Sequence, residues 1–416
     1  MSRDFDIVIV GAGVVGSVMA SLALARKLCK PGRIAILADR IAPPPSAAGA
    51  ADWDLRVFAL SRASQRLLEL AAIWQRLPPG RVHPYERMCV WEGEGAPQAQ
   101  DSLTFDCAEL GEPNLGFIVE GRALQEHCQH AAVAAGAVLI ESTVQALEVR
   151  DTEVRLRLTD GRDLAGRLLI AADGAQSATR ALLGIETAGH AYDQDALVAH
   201  VRTSKPHRDT AWQRFLRSGP LAFLPLPDGR SSIVWSVARS EAEHLRALDP
   251  EAFARALHQA SGDVLGGVEL TTPVAGFPLK LQYALDYVRP RAVLLGDAAH
   301  AVHPLAGQGM NLGLLDCAAL VEVLGTAAEP QLLGDHRLLR RYERWRKSEN
   351  LLAATAFDGL ERLFANGNPA LARLRVAGLG AVGRLPLLKR GLARRALGLA
   401  GDLPAFLKDG RVWPHK

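Results

Sequence analysis

The stretch Gly11-Ala12-Gly13-Val14-Val15-Gly16 joins an apolar run, residues 6–10, to an Ala- and Leu-rich segment, residues 17–28. The apolar run is typical of a strand buried in a parallel sheet, and the segment after the loop is helical in composition. Glycines in such a loop permit a tight turn and close approach of a pyrophosphate, and the helix N-terminus then faces the anion. The stretch therefore predicts a dinucleotide-binding fold. The predicted contacts are Gly11, Gly13, Val14 and Gly16.

The second predicted strand, residues 33–37, should end in an acidic residue that holds the ribose hydroxyls. Ala38 occupies that position, and Asp39 follows one residue later, beside Arg40. A shift of one residue along a strand turns a side chain to the opposite face of the sheet, whereas a loop residue can turn back. We predict cofactor contacts from Asp39 and Arg40. The alternative for Asp39 is a solvated loop charge.

A second glycine-rich segment decides which nucleotide is bound. It runs from Gly296-Asp297-Ala298-Ala299-His300 to Gly307-Gln308-Gly309-Met310-Asn311. Asp297 follows a buried strand and can accept a hydrogen bond from a ribityl hydroxyl. The loop at 307–311 offers N–H groups at a helix start, which suit the edge of a flavin ring that becomes anionic on reduction. A nicotinamide dehydrogenase needs no such distant site, so we predict FAD. The predicted contacts are Asp297, Gly307, Gln308, Gly309, Met310 and Asn311.

The rest of the chain predicts how the nucleotide-binding domain is interrupted. Residues 167–172 form another buried strand, and it ends at Asp173, which we expect near the dinucleotide phosphates. From 191 to about 280, alternating segments separated by turns indicate an antiparallel sheet. We predict an α/β fold: an FAD-binding Rossmann-like domain of the glutathione-reductase type, interrupted by an antiparallel β-sheet substrate lobe and followed by a C-terminal helical tail. The predicted bounds are 1–80, 115–188 and 287–350 for the FAD domain, 81–114 and 189–286 for the lobe, and 351–416 for the tail.

Composition narrows the class of protein. The 416 residues are 49% hydrophobic and 22% charged, and the net charge is +3, which is too small to indicate a nucleic-acid partner. The five cysteines are scattered and never in CxxC spacing, as expected for free thiols in a reducing cytoplasm. No apolar run reaches the roughly 20 residues of a membrane span. We expect a cytoplasmic enzyme without a metal, or one attached peripherally to the inner face of the membrane.

The three nucleotide-binding segments together resemble the aromatic-hydroxylase group of flavin monooxygenases, which has the para-hydroxybenzoate hydroxylase fold. Within this group the chain is most similar to the ubiquinone-biosynthesis hydroxylases that act on polyprenylated phenols. The resemblance covers nearly the whole chain. Ala38 stands where that family usually has Glu, and Gly121 stands where Asn is usual. The stretches that support the resemblance are residues 54–61, 84–91, 116–124, 192–194, 213–216 and 219–226.

The resemblance implies a reaction. NAD(P)H reduces the FAD, O₂ adds at flavin C4a, and the resulting hydroperoxide transfers one oxygen atom to a phenol ring. It also implies that Arg56 and Arg122 contact the FAD and that the backbone of Val144 lies near the adenine; the alternative for the two arginines is a surface salt bridge. His303, followed by Pro304, is the candidate base for activating the phenol; its alternative role is structural hydrogen bonding. The residues expected to form the sheet floor over the flavin ring and to contact substrate are Leu221, Phe223, Pro225 and Trp235. The alternative for these apolar residues is plain core.

Three alternatives remain open at this stage. A flavin hydroxylase of a small soluble aromatic acid would need a pocket arginine, for which Arg214 is the candidate. A non-catalytic FAD-binding scaffold in a biosynthetic complex would bind FAD without substrate-stimulated NAD(P)H oxidation. In the tail, residues 389–399 mix leucines with clustered Arg and Lys. This pattern indicates either a surface that touches a membrane or a partner in quinone biosynthesis, or an amphipathic helix packed on the core.

Overall fold

The computed structural model describes residues 3–43, 53–93, 96–97, 102–301, 308–365, 378, 380, 382 and 384–408. The strands, in chain order, are β1 (Arg3–Val10), β2 (Ile34–Ala38), β3 (Val57–Ser61), β4 (Val82–Tyr85), β5 (Arg87–Glu92), β6 (Leu103–Asp106), β7 (Gly116–Glu120), β8 (Val138–Glu141), β9 (Val144–Val149), β10 (Val154–Leu158), β11 (Asp163–Ala171), β12 (Thr187–Thr203), β13 (Thr210–Leu216), β14 (Gly219–Pro225), β15 (Ser231–Ala238), β16 (Val268–Leu270), β17 (Ala275–Ala284), β18 (Val288–Arg289), β19 (Ala292–Leu294) and β20 (His300–Ala301). The helices are α1 (Val14–Ala25), α2 (Arg62–Leu70), α3 (Cys107–Leu110), α4 (Gly121–Ala134), α5 (Ala178–Leu182), α6 (Arg239–Ala247), α7 (Pro250–Ser261), α8 (Gln308–Leu324), α9 (His336–Ala365), α10 (Pro386–Ala396) and α11 (Ala405–Lys408).

The first sheet is the nucleotide-binding framework. Its order is β18-β19-β11-β1-β2-β8, with β19, β11, β1, β2 and β8 parallel, and an antiparallel ribbon of β9 and β10 joins it at β11. Ile7 and Ile9 pack on one face against α1, α4 and α8, while Phe5 and Val8 pack on the other face against the ribbon. Burial of each such side chain stabilises the fold by roughly 1.5–3 kcal/mol. Because both faces of β1 are covered, residues 7–10 of this strand are all apolar.

A second, nine-stranded sheet forms the other lobe. Its order is β20-β17-β12-β15-β14-β13-β5-β6, and β16 pairs with β12. One face packs against α6 and α7 through Leu197, Phe223, Trp235 and Phe253. A third sheet is antiparallel and has three strands in the order β3-β7-β4. The predicted α/β architecture with an interrupting antiparallel sheet is therefore confirmed.

Helix α10 in the tail is attached to the rest of the molecule by specific bonds. Lys389 pairs with Glu109 at 2.6 Å, and the Ala63 N–H donates to the carbonyl of Leu397 at 3.2 Å. Leu397 is buried with Cys107 and Leu115. Across the described part of the chain, no helix combines the length and the apolar character needed to cross a bilayer.

Candidate active site

Three strand ends bring the three predicted nucleotide-binding segments together. The strands β1, β11 and β19 are parallel neighbours. The main chain of Ala172 donates to Val10 at 2.8 Å, and that of Leu295 donates to Ala171 at 2.9 Å. The turns that carry Gly11, Asp173 and Asp297 therefore leave the sheet side by side at its carboxyl edge, which is where open α/β sheets bind ligands.

The first glycine loop fits a pyrophosphate. Gly11 has φ +109°, and a Cβ there would lie 2.2 Å from the carbonyl oxygen of Ala172. A Cβ on Gly16 would lie 2.0 Å from the carbonyl oxygen of Gly11, whereas one on Gly13 would meet no protein atom within 4 Å. No side chain caps the start of α1 at Gly13. The N–H groups of that first turn are thus available to an anionic group, and Gly13 leaves room for it.

The Asp173 carboxylate is engaged within the protein. It accepts hydrogen bonds from the Ser177 hydroxyl and, at 3.0 Å, from the Thr179 N–H, and so caps α5. The Arg180 guanidinium then donates to the carbonyl of Ala298 at 2.8 Å. This segment braces the turn that carries Asp297. A direct contact between Asp173 and a phosphate stays a prediction.

The expected adenosine end lies at the end of β2. Ala38 is buried, and Asp39 is exposed directly after the strand, where its carboxylate accepts the N–H of Arg40 at 2.9 Å. Glu141, the register partner of Ala38, ends the neighbouring strand and accepts the N–H of Ile41 at 3.4 Å. Val144 follows at the start of β9. Glu141 was missed in the sequence because its position beside β2 depends on the pairing of strands far apart in the chain.

A cavity of about 490 Å³ lies between the strand ends and the nine-stranded sheet. The flavin turn contributes Asp297 and Ala301, and the start of α8 contributes Gln308, Gly309 and Met310. Arg56 and Lys280 also line it; with Asp297 they are the charged residues among the described lining. The rest of the described lining is mostly apolar. The structure thus places the predicted residues Arg56, Asp297, Gln308, Gly309 and Met310 around one cavity.

The residues that form the floor of the cavity differ from those predicted to contact the substrate. Leu221, Phe223 and Trp235 belong to the core formed with α6 and α7, and they do not line the cavity. Successive side chains of a strand point to opposite faces, so their neighbours form the floor instead. Pro225, on the same side of β14 as Phe223, is also absent from the lining. The residues that do form the floor in β14 and β15 are Pro220, Ala222, Leu224, Ser232, Val234 and Ser236.

Arg214 does not present its charge to the cavity. Its guanidinium donates to the carbonyl of Gly93 through Nε at 2.9 Å and to that of Ala260 through Nη1 at 2.8 Å. The neighbouring residues Trp212 and Gln213 line the cavity, and Arg214 does not. The expected role of Arg214 in binding a carboxylate substrate is therefore not supported by its position.

The two arginines expected at FAD have different surroundings. The Arg56 guanidinium lies 5.0 Å from the centre of the Phe58 ring, at the cavity. Arg122 lies outside the cavity lining and pairs at 3.3 Å with the buried carboxylate of Glu120. Glu120 also accepts the N–H of Asp54 at 2.7 Å. Arg122 thus helps to hold the segment that carries Arg56, and its own contact with FAD stays a prediction.

Asp297 lines the cavity and is accessible there, although protein surrounds it. The partial loss of solvent raises its pKa above the ordinary range, and His300, Arg56 and Lys280 oppose that rise. The Asp297 carboxylate is a hydrogen-bond acceptor in the cavity, beside the start of α8. Such an acceptor fits a hydroxyl of the ribityl chain of FAD.

A buried polar network behind the flavin turn was missed in the sequence. The Asp316 carboxylate bonds to His300 Nε2 at 2.6 Å, accepts the Gly296 N–H at 3.1 Å, and accepts from Arg346 at 2.8 Å and from Asn350 at 3.0 Å. Burial alone would raise the pKa of Asp316, but the charges and hydrogen bonds of His300 and Arg346 outweigh it and lower the pKa to about 2. The signal available in the sequence was an acid, Asp316, inside the apolar segment that forms α8.

The second glycine segment is partly described. Asn311 uses its side-chain oxygen to accept the Ser61 N–H at 2.9 Å and the Ser64 hydroxyl at 2.7 Å, and its amide donates to the Ala59 carbonyl at 2.9 Å. Its side chain therefore fastens β3 and α2 to α8 and is not directed to the cavity. The predicted residues His303, Pro304 and Gly307 lie outside the described residues.

One group of metal-ligand types occurs among the described residues: His83, His207 and Asp209. Its members satisfy one another without a metal. His83 Nε2 bonds to the Asp209 carboxylate at 2.9 Å. His207 Nε2 bonds to the Leu226 carbonyl at 3.1 Å, and its Nδ1 accepts the Asp209 N–H at 3.2 Å. Burial lowers the pKa of His207. These residues hold the turn before β13 and do not line the cavity.

Comparison with known proteins agrees with this geometry. Residues 88–352 match the family described as FAD binding domain. The chain is 35% identical to the 3-demethoxyubiquinol 3-hydroxylase of Escherichia coli, over 96% of this chain and 100% of that protein. It is 39% identical to the ubiquinone hydroxylase UbiL of Rhodospirillum rubrum, over 94% of this chain and 89% of that protein.

Solved structures show the same fold. The p-nitrophenol 4-monooxygenase PnpA from Pseudomonas putida has a TM-score of 0.75 at 17% identity, over 95% of this chain and 99% of that chain. PqsL from P. aeruginosa, in complex with 2-aminobenzoylacetate, has a TM-score of 0.69 at 23% identity, over 91% of this chain and 99% of that chain.

Proposed function

We propose a substrate and a reaction for this chain from one premise: it belongs to the FAD-dependent hydroxylases of ubiquinone biosynthesis. It is a flavoprotein monooxygenase. The proposed reaction is hydroxylation of the ring of a polyprenylated phenol, with NAD(P)H as reductant and O₂ as the source of the oxygen atom. The relatives named above support the substrate class, because their names refer to ubiquinone and a demethoxyubiquinol.

The observation that carries the proposal is the distribution of charge in the cavity. The charged residues of the described lining are Arg56, Lys280 and Asp297, and the floor of β14 and β15 is mostly apolar. Arg214 bonds to main-chain carbonyls away from this lining. Arg56 and Lys280 act on Asp297 at the flavin turn, so the described floor away from that turn offers no cation to a carboxylate. An uncharged phenol with an apolar tail matches that part of the cavity better than a soluble aromatic acid, because a buried carboxylate needs a paired cation.

The protein's part in the reaction is to bind, orient and exclude water. The loop at Gly11–Gly16 and the start of α1 would hold the pyrophosphate, Asp297 would accept from the ribityl chain, and the start of α8 at Gln308 would face the ring. When bound, FAD supplies the redox chemistry that takes a hydride from NAD(P)H and activates O₂. The apolar floor keeps water from the reacting atoms. His303 is the proposed base that takes the phenol proton.

The deciding experiment is mass spectrometry of quinone precursors in a strain that lacks this protein. We expect one under-hydroxylated prenylated precursor to accumulate, and the intact gene to restore the mature quinone. A strain carrying the Gly13→Val variant serves as the matched control. A Cβ at Gly13 would meet no protein atom within 4 Å, so the product should fold, and the added side chain would fill the room left for the pyrophosphate. An unchanged quinone pathway would instead favour a soluble aromatic substrate.

The non-catalytic alternative is tested separately with the purified protein. A hydroxylase should oxidise NAD(P)H faster when the phenol is present and should form an equivalent of product. A scaffold would bind FAD and show neither effect.

The proposed setting is a quinone-biosynthesis complex or the inner face of the membrane, since a polyprenylated substrate is itself a lipid. Helix α10 supports this setting: Leu387, Leu388 and Leu392 are exposed, and so are Arg390 and Arg394 on the same helix. Cell fractionation in low and high salt tests it. Recovery of the whole protein in the soluble fraction at low salt, with no partner retained on size-exclusion chromatography, would contradict the proposal.

A further inference from the structure

The cavity is longer than the flavin turn alone requires. Its lining runs across the nine-stranded sheet from Phe277 and Lys280 on β17 to Met88 on β5 and Phe105 on β6. In the sheet order β6 is six strands away from β17. At a strand spacing of about 4.8 Å this separation is roughly 29 Å. The flavin turn lies at the β17 end, because β20, which follows Asp297, pairs with β17. The opposite end has no cofactor segment assigned to it.

That opposite end is apolar and small side chains of α10 form part of it. Its lining includes Met88, Phe105, Leu115, Ala393, Ala396 and Leu397, none of which carries a charge. Ala393 and Leu397 are buried, whereas Ala396 is exposed although it lines the cavity. The other exposed residues of the described lining belong to the flavin-turn end: Arg56, Phe277, Pro278 and Asp297. The exposure of Ala396 therefore indicates a second opening of the cavity, beside α10.

The surface beside this opening combines leucines with basic residues. Leu388 and Leu392 are one helical turn apart and each is 46% exposed; residues with this spacing lie on one side of a helix. Ala396 follows Leu392 by the same spacing, and the exposed Arg395 next to it pairs with Glu349. An apolar chain leaving the cavity at this end would thus meet exposed leucines, whereas the end near Phe277 holds the charges of the lining itself.

We propose that α10 forms the exit for the apolar tail of the substrate and that Ala396 sets the room for this tail. The inference rests on the proposed function, since it assigns a path to the tail of a polyprenylated phenol. The ring would lie at the flavin turn, and the tail would cross β13 and β5 and leave past Ala396. The bonds that fix α10, from Lys389 to Glu109 and from Ala63 to Leu397, hold this wall in place.

The test is a series of phenols carrying zero, one, two or three isoprene units, assayed with the FAD-loaded full chain. Each buried methylene strengthens binding roughly fourfold, so kcat/KM should rise with tail length in the wild type. Ala396→Phe should lower kcat/KM about tenfold or more for the longest tail and leave the unprenylated phenol within about twofold. Leu387→Phe is the matched control, since Leu387 lies on the same helix, is 85% exposed and does not line the cavity; its kinetics should equal those of the wild type.

Two results would overturn the inference. One is an equal effect of Ala396→Phe on every tail length, or no effect on any. The other is a loss of kcat/KM for long-tailed phenols in Phe277→Trp without such a loss in Ala396→Phe. That result would place the exit at the β17 end. Equilibrium dialysis with labelled farnesol separates this inference from the proposed function, because it needs no turnover. If farnesol binds the wild type and binds Ala396→Phe more weakly, the exit is supported even where no phenol is hydroxylated. An absence of hydroxylation would then count against the proposed function alone.

Discussion

Replacing Asp316 with Asn removes the charge at the centre of the buried network behind the flavin turn. In the folded protein the pKa of Asp316 is lowered from 3.8 to about 2. A difference of nearly two pKa units corresponds to about 2 kcal/mol of favourable interaction with the ionised form. The side chain is fully buried, so solvent screening does not reduce this figure. The variant also leaves the buried Arg346 without its carboxylate, and loss of one partner from a buried ion pair typically costs about 3–5 kcal/mol.

We therefore expect Asp316→Asn to lower the free energy of unfolding by about 3 kcal/mol at neutral pH. Because Asp316 also accepts the Gly296 N–H, the variant should release FAD at a lower urea concentration. The pKa of the folded state is depressed, so the stabilisation is complete above the unfolded pKa near 4 and is lost as the pH falls through about 2. The difference between wild type and variant should therefore narrow in acid.

Urea denaturation followed by tryptophan fluorescence, with flavin fluorescence for FAD release, measures both effects. Asp163→Asn is the matched control: Asp163 pairs with Arg157, but its side chain is 53% exposed. Exposed ion pairs contribute about 1 kcal/mol or less, so this variant should behave almost as wild type. Equal urea midpoints and equal FAD retention for Asp316→Asn and wild type would refute the argument that the network supports the flavin turn.

Three further outcomes follow from the site. Gly13→Val should fold but fail to retain FAD, because a Cβ at Gly13 would meet no protein atom within 4 Å and the side chain would occupy the room left for the pyrophosphate; an FAD content equal to wild type after gel filtration would contradict this. His303→Ala should keep its FAD but slow hydroxylation, measured as product formed per NAD(P)H oxidised, and normal product formation would remove the proposed base. Arg214→Met should leave the KM for the phenol unchanged and lower the urea midpoint, because Arg214 bonds to main-chain carbonyls. A raised KM with unchanged stability would place Arg214 at the substrate.

The nucleotide-binding half of the fold could be predicted because its signals are local. A glycine loop between an apolar strand and a helix needs only neighbouring residues to be recognised, and the second glycine segment has the same property. The prediction of an FAD-binding fold is confirmed. The predicted contacts of individual residues with FAD stay predictions, although the structure gathers the turns of Gly11, Asp173 and Asp297 at one edge of the sheet.

The substrate floor could not be predicted because alternation along a strand does not say which face is which. Both faces of β14 and β15 are largely apolar: Leu221 and Phe223 point to the helices, and Ala222 and Leu224 point to the cavity. Large side chains fill the space under two helices, and smaller ones leave the cavity open. Deciding between the faces requires knowing where α6 and α7 pack, and this depends on contacts between segments far apart in the chain. The Asp316 network was hidden for the same reason, since Arg346 is thirty residues away on another helix.

At the expected adenosine end, this chain differs from the family at position 38, where an acceptor for the ribose hydroxyls is expected. Ala38 stands where an acid is usual, and its side chain is buried at the end of β2. Ribose hydroxyls need a hydrogen-bond acceptor at this edge of the sheet, and any nearby residue can supply it. Two carboxylates flank it: Asp39, exposed in the loop directly after the strand, and Glu141, the register partner of Ala38 on β8. Both lie at the carboxyl edge of the sheet, and we predict that one of them supplies the acceptor that Ala38 cannot.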